Sequence, residues 1–143
     1  MTTIEQSKKL LELGLSPKSA DMSWYRPNVM YPYELHTKYK GHGVMADGSD
    51  DLIPAWSVSA LIMLMPATIQ TKESVEPYSL MIFRRPPVGE QKDWFEIEYG
   101  YRYAMTVGYL NEWYHIVAGE DLTTVCFDMV CWLLEHDYIN GGD

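Results

Sequence analysis

The chain has 143 residues, 47% of them apolar, which suits one folded domain over 1–143 with a real core and excludes a disordered segment. Lys and Arg total 11 against 20 Asp and Glu, and the net charge of -9 falls entirely after residue 50: residues 1–50 hold six basic and six acidic residues, residues 51–143 five and fourteen. That balance opposes a phosphate backbone, so no duplex nucleic acid is expected as a partner.

The first element is a helix over about 3–13, with Ile4, Leu10, Leu11 and Leu13 as its apolar stripe, Thr2 or Thr3 as its cap and Gly14 as its left-handed stop. Ser16-Pro17-Lys18-Ser19 gives a turn or a short helix start. Residues 23–50 interleave Trp24, Tyr25, Tyr31, Tyr33 and Tyr39 with Pro27, Pro32, Gly41, Gly43 and Gly48. Prolines at that density argue against a helix or a central strand, so the expectation is a long ordered loop over the core, with a short strand near 34–39.

A second helix is expected over 55–65, with Trp56, Ala60, Leu61, Leu64 and Met65 on one side and Pro66 as its end. That apolar run is far shorter than the roughly 20 residues of a membrane span. The polar start of the chain, with Glu5, does not read as a signal peptide. No membrane partner and a bacterial-type cytoplasmic location are therefore expected.

Strands follow over 67–71, 78–84, 94–99 and 112–118, with short connections that point to an antiparallel meander. Every odd position from Phe95 to Val107 is large and apolar or aromatic, while Glu96, Glu98, Gly100, Arg102, Ala104 and Thr106 alternate with them. This period of two predicts a strand with one buried face, which Gly100 either bends or lets continue. Trp113, His115 and Val117 alternate against Tyr114, Ile116 and Ala118 in the last strand. A helix over 122–136, capped by Asp121, places Leu122, Val125, Cys126, Met129 and Leu133 on one stripe. The fold class is α+β: one antiparallel sheet of four or five strands with about three helices packed mainly on one face.

No constellation carries chemistry with a recognised spacing. His36 and His42 flank Gly41-His42-Gly43 with acids downstream, but their spacing matches no established ligand pattern, so no metal and no cofactor are expected. Cys126 could pair with His115 or His136 as nucleophile and base, yet the nearby Asp121 and Asp128 oppose a thiolate. Cys126 and Cys131 lie five residues apart on one helix, so their thiols diverge and stay reduced. Glu96 and Glu98 sit on one strand face about 7 Å apart, where an exposed, solvated pair is expected.

Three phrases stand together: Leu10-Leu11-Glu12-Leu13-Gly14-Leu15 with Ser19-Ala20-Asp21-Met22; Ile53-Pro54-Ala55-Trp56-Ser57 running into Leu61, Leu64 and Met65-Pro66; and Asp128-Met129-Val130-Cys131-Trp132-Leu133-Leu134-Glu135. They resemble a group of small uncharacterised proteins encoded in prophages and other mobile elements of gut-type anaerobic bacteria. The resemblance implies an accessory protein of such an element and assigns no activity to any residue.

Five Trp and eleven Tyr exceed what a core of this size needs, and such rings favour interfaces. The leading expectation is a non-enzymatic interaction protein whose contact residues are Trp24, Tyr25, Tyr31, Tyr33, Trp94, Glu96 and Glu98. Two alternatives are an acidic inhibitor or immunity-type protein that mimics nucleic acid, and a small enzyme or ligand-binding protein with a pocket beside loop 24–50 built on His36, His42 and His115. The mimic requires Glu90, Asp93, Glu96, Glu98 and Glu112 to share a surface. The oligomeric state is not legible.

Overall fold

In the computed structural model the described residues are 1–37, 51–90, 92–105 and 108–141, with the backbone alone described at 102–105 and 108–111. They form an α+β fold of three α-helices and two antiparallel sheets, one of three strands and one of four.

Helix α1 (Ile4–Glu12) starts in a capping box. The Thr3 hydroxyl accepts from the Gln6 backbone N–H at 3.1 Å, and the Gln6 side chain accepts from the Thr3 N–H at 3.0 Å. Gly14 at φ +91° ends it in the left-handed region. Helix α1 buries Leu10 and packs beside the three-stranded sheet.

That sheet has the order β2-β1-β3, with β1 Met22–Arg26, β2 Glu34–His36 and β3 Asp51–Ala55. Strand β1 corrects the reading of its residues as loop, β2 falls where a short strand near 34–39 is expected, and residues 38–50 of that loop lie outside the described residues. Of the prolines that argued against strands, Pro27 follows β1 and Pro32 precedes β2, while Pro54 lies on the edge strand β3, opposite Ser23. Pairing with β1 also draws Ala55 out of the expected second helix. Helix α2 is therefore only Val58–Leu64, with the Ser57 hydroxyl accepting from the Ala60 N–H at 3.1 Å. Trp56, fully buried between β3 and α2, donates its indole N–H to Ser19 Oγ at 3.0 Å.

The larger sheet is a meander in the order β4-β5-β6-β7, with β4 Thr68–Ile69, β5 Tyr78–Arg85, β6 Trp94–Met105 and β7 Gly108–Gly119. Gly100 does not split the long alternating run, and β6 continues through it; Val107 lies outside the described residues. Helix α3 (Leu122–Glu135), capped by the Asp121 carboxylate on the Thr124 N–H at 3.1 Å, packs on β6 and β7. It covers the odd face of β6, as the alternation predicts. Ile97 and Tyr99 are fully buried with Val125, Met129 and Leu133 in one core cluster. Tyr99 resolves the problem of a buried hydroxyl by donating to Pro66 O at 2.7 Å.

Between β6 and β7 the register shifts by one residue. Tyr99 faces His115, but Gly100 faces Trp113, so Tyr114 is an extra residue in a β-bulge. A Cβ on Gly100 would lie 2.2 Å from the Glu112 carbonyl oxygen, so only glycine admits this approach. The bulge sends Trp113 to one side of the sheet and His115 with Val117 to the other, which corrects the reading of these three as one face.

Candidate functional site: the outer face of the four-stranded sheet

The face of this sheet opposite α3 is built from three rows of cross-strand neighbours. Ser79, Gly100 and Trp113 form the first, Met81, Glu98 and Ile116 the second, and Phe83, Glu96 and Ala118 the third. Trp94 opposite Arg85 closes one end. The apolar members of this face, Met81, Phe83, Trp94, Trp113 and Ile116, are absent from the core cluster and its packed neighbours. No described element covers them. Trp113 is 55% exposed, Trp94 41% and Ile116 36%.

Glu98 lies in the middle of this face and is only 1% exposed. The expectation of a solvated Glu96–Glu98 pair is therefore corrected: Glu98, flanked in its row by Met81 and Ile116, is buried. Glu98 Oε1 is buried without a hydrogen-bond partner. Burial is the main force raising the Glu98 pKa from its ordinary value. The charge of Glu96 adds to it, while Arg85 and a hydrogen bond from the Trp113 side chain oppose it. Glu96 does not share this isolation, because Arg85 holds it at 3.1 Å.

Beyond Trp94 the face opens into a cleft of about 650 Å³ at the β5–β6 connection, lined by Arg85, Val88, Lys92, Trp94, Glu96 and Glu120 among others. Its charges are largely matched within the chain. Lys92 stands 3.8 Å from Glu120, and Arg84 nearby stands 2.7 Å from Asp93.

The other expected contact residues are dispersed. Trp24, half-buried in β1, donates its indole N–H to Thr2 O at 3.0 Å. Tyr25 packs its ring edge-on against His36, with centroids 5.2 Å apart. The Tyr33 hydroxyl donates to Asp51 Oδ2, and Arg26 lies over its ring at 4.3 Å while pairing with the same carboxylate at 2.9 Å. Of the described loop aromatics only Tyr31 is well exposed, and Tyr39 lies outside the described residues. Three of the expected contact residues, Trp94, Glu96 and Glu98, thus share a face, and four do not.

The acids divide between the two faces of the sheet. Glu96 and Glu98 point outward, whereas Glu112 is paired with Tyr101 on the α3 side. Asp93 and Glu96 are ion-paired. A phosphate-like array needs free acids on one surface, so this placement lends the nucleic-acid mimic little support.

The histidines do not converge either. His36 belongs to the three-stranded sheet, His115 lies on the α3 side of the larger sheet, and His42 lies outside the described residues. Among the described residues no group of three or more His, Cys, Asp and Glu is placed to hold a metal ion. Both cysteines are free, and burial pushes Cys126 up to about 11 and Cys131 up to about 12, so neither is a ready nucleophile.

Sequence reasoning missed an aromatic array on the α3 side. The His115 ring lies on Trp132 at 3.9 Å, and Tyr138 and His136 pack against Trp132 at 5.1 and 4.9 Å. The bulged Tyr114 stacks on Tyr78 at 4.7 Å and shares a 2.8 Å hydrogen bond with the Tyr138 hydroxyl. A tryptophan and a histidine four residues apart near a helix end were the available signal. Their partners come from β5 and β7 and from the turn after α3.

Among the described residues no helix is long and apolar enough to cross a membrane. No protein-family model, curated protein or solved structure matches the chain.

Proposed function

We propose that the chain is a non-enzymatic interaction protein that docks a protein partner on the outer face of its four-stranded sheet. One observation carries this reading: a carboxylate withdrawn from water lies at the centre of an apolar sheet face that the core does not use. Exposed Trp94 and Trp113 flank it, and tryptophan is enriched among the residues that dominate binding energy at interfaces. A sheet face needed only for solubility would carry solvated polar residues here, as antiparallel sheets usually do on their wet side. The role as an accessory protein of a mobile element rests on the three resembling sequence phrases alone.

Site-directed photocross-linking tests the docking face. A benzoylphenylalanine placed at Ile116 is expected to give a discrete adduct in a lysate of cells that carry the gene. The same probe at Lys8, on the exposed side of α1, gives none, and Trp113→Ser abolishes the adduct at position 116. Equal labelling from both positions, or none from Ile116, would overturn the reading.

A further inference from the structure

We propose that the outer face takes a lysine side chain of a protein partner, its ammonium pairing with Glu98 and its apolar neighbours lying against Met81, Trp113 and Ile116. This rests on the reading of the face as a docking surface and names what is docked.

Glu98 Oε1 is an acceptor buried without a partner. Such a group gains more from a donor than a solvated one, because its desolvation cost is already incurred in the free protein. The described cations nearby are committed elsewhere: Arg85 to Glu96 at 3.1 Å, Arg84 to Asp93 at 2.7 Å and Lys92 to Glu120 at 3.8 Å. Among the described residues no cation is left to pair with Glu98, and the proposed one comes from the partner.

Charge selects among possible occupants. A second copy would bring its own Glu98 to the same face and a further net charge of -9, opposing like charges across a dry interface. Phosphate groups are repelled for the same reason. A basic protein segment is complementary in charge, and apolar residues beside its cation match the Met81 and Ile116 side chains that flank Glu98 in its row.

The geometry favours an ammonium over a guanidinium. Of the two carboxyl oxygens, Oε1 is the one buried without a partner, a single open acceptor. A lysine ammonium serves one acceptor as a compact point charge, whereas the arginine fork is matched to both oxygens of a carboxylate.

Peptide titration of the full chain tests this. Acetyl-Val-Lys-Val-amide and its norleucine and arginine counterparts are added to protein carrying ¹³C at glutamate carboxyls and ¹⁵N at indoles, with NMR as the readout. The lysine peptide is expected to bind on the order of tenfold tighter than the norleucine one. It should also shift the Glu98 carboxyl and Trp113 indole signals, and Glu98→Gln removes its advantage. Comparing the three peptides on the unaltered chain decides the point even if that variant fails to fold.

Equal binding of the lysine and norleucine peptides overturns the inference and leaves the docking face intact. Tighter binding of the arginine peptide overturns the choice of ammonium. Absence of any shift at outer-face signals with all three peptides overturns the inference too, and the cross-link at Ile116 then decides separately whether the docking face stands. Self-association of the chain that Trp113→Ser removes would assign the face to a second copy and overturn the proposed occupant.

Discussion

The His115 imidazole lies flat on the Trp132 indole, with centroids 3.9 Å apart and planes 3° apart. Its Nε2 is buried without a hydrogen-bond partner. Desolvation lowers the His115 pKa from its ordinary value, and the charge of His136, which packs on Trp132 as well, lowers it further. The folded chain therefore prefers a neutral imidazole at this site.

A pH dependence of stability follows. The pKa of His115 is lower in the folded chain than in the unfolded one, so the unfolded chain binds the proton first. The stabilising contribution is full above the unfolded value of roughly 6.5 and is lost as pH falls through the folded value. His115→Phe keeps a flat ring against Trp132 and removes the titration. Urea unfolding at pH 7.5 and at pH 5.5 should show a smaller loss on acidification for this variant than for the parent. Trp132→Ala removes the common partner of the array and should cost about 3 kcal/mol at either pH.

Glu98 responds in the opposite sense. Its folded pKa is raised, so its contribution to stability is full below the unfolded value near 4.3 and declines as pH rises through the folded value. At pH 7 the buried carboxylate is a standing cost. Glu98→Gln removes that charge while keeping the shape, and should stabilise the free chain by about 1 kcal/mol at pH 7 and by less at pH 4. Thermal melts at the two pH values measure the difference. A destabilised Glu98→Gln at pH 7 would mean that the carboxylate is satisfied within the chain, which would remove the ground for an external cation.

Gly100 fixes the bulge, and through it the side of the sheet on which Trp113 emerges. A Cβ at this position would meet the Glu112 carbonyl oxygen at 2.2 Å, so Gly100→Ala must push β7 away from β6. The expected loss is about 2–4 kcal/mol. Because Trp113 lies on the Glu98 side of the sheet only in the bulged register, the fluorescence of Trp113 should change in Gly100→Ala. The other tryptophans are replaced by phenylalanine in both proteins for this measurement. An unchanged spectrum and melting temperature would show that the register does not depend on the missing side chain.

What the sequence reveals here depends on how local the cause is. Helix α1 is legible because Thr3, Gln6 and Gly14 encode its two ends within the segment itself. The inner face of β6 is legible because Phe95, Ile97 and Tyr99 keep the strand period where no register shift intervenes. The three-stranded sheet is not legible, since Trp24 pairs with Ile53 across nearly thirty residues and the prolines between them argue for loop. The face of Trp113 is not legible because a single extra residue, Tyr114, inverts the parity of everything before it in β7. Glu98 has the sequence context of an exposed acid, yet it is buried, and its neighbours Met81 and Ile116 come from two other strands.

Thr2 ties the start of the chain to the junction of β3 and α2. Its side chain is fully buried, accepts from the Trp56 backbone N–H at 3.0 Å and shares a 2.9 Å hydrogen bond with the Ser7 hydroxyl. The Thr2 N–H in turn donates to Trp56 O at 2.9 Å, so the two residues are linked in both directions. Thr2→Val preserves volume but leaves the Trp56 N–H without its acceptor and the Ser7 hydroxyl without that partner, at a cost of about 2–3 kcal/mol. Thr2→Ser keeps the oxygen and loses one methyl group, at about 1 kcal/mol. Urea midpoints should therefore rank the parent above Thr2→Ser and Thr2→Val lowest, with similar m-values if all three unfold in one step. Equal midpoints for the two variants would assign the effect to packing and not to the hydroxyl.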